Sequence, residues 1–103
     1  MEGKIPGIYR HFKGNYYAAL SVAKDSETLE EVVVYRALYG EGALWVRPRK
    51  MWEESVEREG KTQPRFSFVR EIAPEFAARL AVLPLAGEEL RTLLAGFPEQ
   101  AKA

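Results

Sequence analysis

The sequence predicts a mainly β protein with added α structure: a small SH3-like barrel of about five strands followed by a C-terminal helical hairpin. Three observations predict it. Between residues 7 and 69, β-branched and aromatic runs are cut at short intervals by polar or glycine-bearing turns. Val32, Val33 and Val34 stand in succession before Tyr35, a run that suits a pleated surface better than a helix. From Pro74 onward the apolar spacing becomes helical. The chain has 103 residues, enough for one core. The change of character divides it into residues 1–70, the small β-barrel domain, and residues 71–103, a helical extension docking on the barrel. Closing the strands into a barrel would remove edges that a unit this small exposes to aggregation.

The first strand is Ile8-Tyr9-Arg10-His11-Phe12, stopped by the turn Lys13-Gly14-Asn15. Residues 16–23 follow, with Tyr16, Ala18, Leu20 and Val22 as the larger, core-facing set against Tyr17, Ala19, Ser21 and Ala23. Lys24-Asp25-Ser26-Glu27-Thr28 reads as a polar turn. The strongest strand covers residues 31–39, and Gly40-Glu41-Gly42 turns the chain into Leu44-Trp45-Val46-Arg47. Pro48 ends that strand or sets it at an edge, because proline cannot donate to a ladder. Met51, Trp52 and Val56 fit one or two helical turns; Glu59-Gly60-Lys61 is a break, and Arg65-Phe66-Ser67-Phe68-Val69 is the last strand. Phe76, Leu80 and Leu83 lie at helical spacing behind Pro74 at the first helical position. Pro84 closes that helix, and Leu90, Leu93, Leu94 and Phe97 form one side of a second. Helices this short must dock to be stable. A helical arm for dimerisation or partner binding is the other reading of this tail.

Composition narrows the function classes. The chain is 47% hydrophobic and 29% charged, which fits an ordered globular protein. Fifteen basic residues balance fifteen acidic ones, so no overall field draws it to nucleic acid or to an anionic membrane. Without cysteine there is no disulfide framework, thiolate metal site or cysteine nucleophile. The opening residues lack the apolar run of a signal peptide, and no later stretch has the length of a membrane span. A cytoplasmic location and no membrane partner are therefore expected.

The inventory for catalysis is thin. His11 is the sole histidine and Asp25 the sole aspartate, with Ser21, Ser26, Ser55 and Ser67 as the serines. Proton or acyl transfer needs a nucleophile, a matched base and an orienting group within reach. Asp25 and Ser26 share a turn, where both more often bond the backbone. No clustered ligands suggest a metal, no glycine-rich loop suggests a nucleotide cofactor, and no catalytic residue is assigned. His11 sits between Arg10 and Lys13, whose charges disfavour its protonated form. It reads first as a structural residue bonding a backbone carbonyl and second as a ligand-binding one.

The more suggestive pattern interleaves rings with guanidinium groups: Tyr9, Arg10, His11, Tyr35, Arg36, Tyr39, Trp45, Arg47 and Arg49. Arginine pairs with phosphate or carboxylate through a planar fork, and tyrosine and tryptophan offer faces for stacking. Strand alternation sends Tyr35 and Arg36 to opposite faces and keeps Trp45 with Arg47, so the set divides and some of the rings belong to the core. The candidate ligand-binding residues are Arg10, His11, Arg36, Tyr39, Trp45 and Arg47. They suggest a non-catalytic module recognising RNA or another phosphate-bearing ligand, with Arg10, Arg36 and Arg47 on one face. The alternative is a protein- or peptide-interaction module using an aromatic groove.

Four blocks carry a resemblance. Gly7-Ile8-Tyr9-Arg10-His11-Phe12-Lys13-Gly14-Asn15-Tyr16-Tyr17, Val34-Tyr35-Arg36-Ala37-Leu38-Tyr39-Gly40, Leu44-Trp45-Val46-Arg47-Pro48 and Pro64-Arg65-Phe66 together resemble the bacterial family known as domain of unknown function 1653. The match runs from about residue 7 to residue 68, with Trp52 where the family pattern suggests phenylalanine. The resemblance implies a compact module, free-standing or appended, with no established activity; the helical tail lies outside it.

Overall fold

The computed structural model describes residues 4–81; the second expected helix, residues 87–97, lies outside them. In chain order the elements are β1 (Gly7–His11), β2 (Tyr16–Lys24), β3 (Glu31–Ala37), β4 (Leu44–Pro48), α1 (Arg49–Trp52), β5 (Ser55–Arg58), β6 (Lys61–Pro64), β7 (Phe66–Glu71) and α2 (Pro74–Leu80). Five strands form one antiparallel sheet in the order β4-β3-β2-β1-β7, and β5 and β6 form a separate hairpin. None of the described helices is long and apolar enough to cross a membrane.

The turns follow their residues. Gly14 takes a φ of 113° and donates to the His11 carbonyl at 2.7 Å, closing the β1–β2 connection. Asp25 Oδ1 accepts from the amides of Glu27 and Thr28 at 2.8 and 3.1 Å, the backbone role expected of it. Those two bonds hold its carboxyl below the usual range. Pro48 ends β4, an edge strand, as its missing donor requires.

The expected barrel is corrected to an open sheet. β4 and β7 stand at opposite ends of the strand order and do not pair. The sheet is instead covered on both faces. On one side Ile8, Tyr16, Ala18, Leu20 and Leu38 pack against Ala77 and Leu80 of α2. On the other, Tyr9, Ala19, Val33 and Tyr35 pack against Trp52 of α1 and Phe66. Two covered faces supply the burial that barrel closure would have supplied.

Three smaller corrections share physical causes. Val56 belongs to β5, not to a helix, because α1 ends at Trp52 and Glu59-Gly60, both at positive φ, make the tight turn of a two-residue hairpin. Val22 does not join Tyr16, Ala18 and Leu20. The pairing of β2 with β3 jumps from Ala19–Tyr35 to Ser21–Val34, so Leu20 is an extra residue in a bulge. The bulge reverses the alternation and sets Val22 opposite Val33, on the Trp52 side. Tyr39 falls beyond the end of β3, where Gly40 and Gly42, both at positive φ, turn the chain.

Candidate functional site: a donor-rich ring cluster

The sheet face that α1 covers is paved with rings. Trp52 stacks on Phe66 with centroids 3.7 Å apart and planes at 9°, while Tyr9 and Tyr35 meet Trp52 edge-on at 5.2 and 4.9 Å. Tyr17 is the hub on the open side, edge-on to Tyr35, Tyr39 and Phe66 at 5.4, 5.5 and 5.7 Å. Edge-to-face contacts place the positive ring edge on a negative face, so the floor is held by geometry as well as burial. His11, from the end of β1, stands 5.0 Å from Phe66 and 6.2 Å from Tyr17. Arg47 of β4 lies over Phe66 at 5.5 Å and donates from Nε to the Tyr35 hydroxyl at 3.4 Å.

A hydrogen-bond inventory gives this cluster its chemical sense. His11 Nδ1 accepts the Lys13 amide at 3.2 Å, which leaves the proton of the neutral ring on Nε2. The bond to the backbone is thus to an amide, not to the expected carbonyl. The hydroxyls of Tyr17 and Tyr39 are 2.7 Å apart and share one hydrogen bond, so one of their two protons remains to be donated outward. Tyr35 accepts from Arg47 and keeps its own proton. Among the described residues, no carboxylate pairs with Arg47. The imidazole, a phenol pair, a guanidinium and a third phenol therefore all present donors.

Electrostatics agree. Burial, then the charges of Arg47, Arg65 and Lys13, push the His11 imidazole down to about 4, so it is neutral at physiological pH. Burial and the bond to Tyr39 push the Tyr17 phenol up, which keeps its proton in place as well. Of the three cations that act on the half-buried imidazole, Arg47 and Lys13 have no carboxylate partner among the described residues, while Arg65 is paired with Glu54 at 3.0 Å. The patch is thus locally positive on a chain of zero net charge.

The six predicted residues are divided. His11, Tyr39, Trp45 and Arg47 lie on the ring-paved face; Trp45 is 53% exposed and pairs with Tyr35 across the strands. Arg10 and Arg36 lie on the α2 side, so the single face expected to hold Arg10, Arg36 and Arg47 does not form. Arg36 is 1% exposed and donates to the Leu80 carbonyl at 2.9 Å, which makes it a structural residue. Arg10 is exposed and shares its side with Ile8 and Tyr16. Sequence reasoning missed Tyr17, Phe66 and Arg65. The signal for Tyr17 was its place in the second, smaller set of an alternating strand, which becomes informative only once both faces are known to be covered.

Arg49, Lys50, Glu30, Glu31 and Glu53 line a groove of about 400 Å³ elsewhere on the surface. There each cation is already met: Arg49 bonds Glu31 at 2.9 Å and Glu53 at 3.1 Å, and Lys50 lies 3.6 Å from Glu30. The cations of that groove are already neutralised by carboxylates, unlike Arg47 of the ring cluster. Among the described residues, no three His, Asp or Glu side chains gather to hold a metal.

Comparison with known proteins meets the same region. Residues 7–68 match the family model described as a protein of unknown function, DUF1653. The chain belongs to the DUF1653 family. A crystal structure of a DUF1653 protein from Bordetella bronchiseptica is similar, with 41% sequence identity and a TM-score of 0.62. The similarity covers 72% of this chain and 97% of that one. No curated protein matches. The DUF1653 match spans β1 to β6 and the first half of β7, takes in every ring of the cluster, and stops before α2.

Proposed function

We propose that the chain is a non-catalytic binding module that takes a phosphate-bearing ligand, RNA foremost, on the face holding His11, Tyr17, Tyr39, Trp45 and Arg47. The observation that carries this reading is the donor inventory of one sheet face. Arg47, His11 Nε2 and the phenols of Tyr17, Tyr39 and Tyr35 stand around the same rings, and no carboxylate among the described residues is bonded to them. Such a set complements a group that only accepts hydrogen bonds, which an ionised phosphate does. Trp45, exposed beside Arg47 on β4, offers a face on which a base can stack. An RNA ligand agrees with the cytoplasmic location expected from the sequence.

Fluorescence titration with mixed-sequence RNA tests it. Binding at about 50 mM salt that falls steeply by about 200 mM is the expected result, as displaced counterions predict. Arg47→Ala should weaken it about tenfold, the effect of removing one charge-assisted pair. Absence of binding at the lower salt removes the proposal.

One observation favours a peptide as the ligand instead. β4 is an edge strand with Trp45 and Val46 exposed, an arrangement that a partner strand can extend. A partner captured by the intact chain that survives nuclease treatment, and is released by Trp45→Ala, would select that reading.

A further inference from the structure

A second group of cations adjoins the ring cluster and belongs to neither core. Phe12 follows β1, and its ring lies 4.5 Å from that of His11. Lys13 Nζ and the Arg58 guanidinium stand over the Phe12 ring at 5.9 and 5.6 Å. They come from two different places in the chain, Lys13 from the β1–β2 turn and Arg58 from the end of β5 in the hairpin. Both are exposed, and among the described residues neither pairs with a carboxylate. Arg65, the remaining cation here, is tied to Glu54 at 3.0 Å.

From this a continuous strip emerges. Arg47 lies over Phe66, Phe66 meets His11, His11 meets Phe12, and Phe12 carries Lys13 and Arg58, with every step shorter than 6 Å. Trp45, two residues before Arg47 on β4 and so on the same sheet face, adds an exposed ring beside the strip. Positive groups at both ends, rings between them and no carboxylate paired with either end are what a flexible polyanion with flat substituents requires. A lone phosphate would be satisfied at Arg47 and leave Lys13 and Arg58 idle. A duplex keeps its bases stacked inside, away from Trp45.

We infer that the ligand is single-stranded RNA, held at two separate phosphate positions, one at Arg47 and His11 and the other at Lys13 and Arg58. This rests on the phosphate-binding reading of the ring cluster and adds to it the second position and the strandedness.

The experiment uses the full chain, a labelled single-stranded oligoribonucleotide of about ten nucleotides, the same strand annealed to its complement, and uridine monophosphate as a competitor. Lys13 and Arg58 are replaced together by alanine, and Arg47 separately; circular dichroism verifies that each variant folds. The double variant should bind the single strand about tenfold more weakly, with a salt slope shallower by roughly 0.7 for each phosphate no longer neutralised. Its inhibition by the mononucleotide should not change. Arg47→Ala should impair both ligands, and the duplex should bind more weakly than the single strand. If the double variant keeps the affinity and slope of the unaltered chain while Arg47→Ala abolishes binding, the second position is overturned and the first stands. Equal binding of duplex and single strand overturns the strandedness. If the unaltered chain binds none of the three, both readings fall.

Discussion

The two faces of the central sheet are both buried but with opposite chemistry. Under α2 the cluster is aliphatic apart from Tyr16 and the half-buried Phe76, and the buried guanidinium on that side, Arg36, is closed over and donates to a backbone carbonyl. Under α1 the cluster is mostly aromatic, and the polar residues at its side, Tyr17, Tyr39, His11 and Arg47, are only half-buried. Arg36 and Arg47 are both strand arginines flanked by apolar residues, yet one became scaffold and the other stayed available. What closes over a side chain, more than its neighbours in sequence, decides between the two.

The largest effect should come from the aromatic face. Trp52 is 1% exposed and stacked on Phe66, so Trp52→Ala should cost about 3–5 kcal/mol in urea unfolding. A cost near that of a surface substitution would mean the ring floor is not a true second core. Next comes Arg36→Ala, which strips a buried carbonyl of its donor and should cost about 2–3 kcal/mol. Arg47→Ala in the same assay should stay within about 1 kcal/mol, since its bond to Tyr35 is long and half-buried. Equal losses from the two arginines would erase the contrast between the faces.

Trp52→Phe should be milder, below about 1.5 kcal/mol. The indole Nε1–H is buried with no acceptor among the described residues, so exchanging it for phenylalanine removes an unsatisfied donor along with some area. The smallest effect is that of pH. The folded His11 value, about 4, lies below the unfolded 6.5, so the unfolded chain takes up its proton first as pH falls. Stability should decline across that window and stop declining below it, by about 1 kcal/mol once solvent screening of a half-buried ring is allowed for. His11→Asn should lack this component. Parallel losses in the two chains would show that the surrounding cations do not act on the imidazole.

Local signals were legible wherever one residue dictates one geometry. Gly14, Asp25, Gly40 and Pro48 each announced a turn or a strand end, and the valine run announced β3. The opposed directions of Tyr35 and Arg36, and the shared direction of Trp45 and Arg47, followed from strand alternation alone. The open sheet was not legible, because short strands with tight turns serve a barrel or a two-sided sheet equally well. Strand order is fixed by long-range pairing of β7 with β1 and by the docking of α2. Part of the candidate site escaped for the same reason: nothing local reveals that α2 buries Arg36. The β5–β6 hairpin escaped although Glu59-Gly60-Lys61 reads as a break, because its strands, Ser55–Arg58 and Lys61–Pro64, carry no alternating apolar run.

The extra residue at Leu20 has a consequence for how this strand can change. It reverses the parity of β2: even-numbered residues face α2 up to Leu20 and the ring-paved side from Val22 onward. Deleting Leu20 would leave Ala19 opposite Tyr35 and Val22 opposite Val33 and would cost the α2-side core one buried leucine, whereas a one-residue deletion elsewhere in β2 would turn part of the strand over. At that point identity matters as well as length, because the extra residue is itself a core side chain.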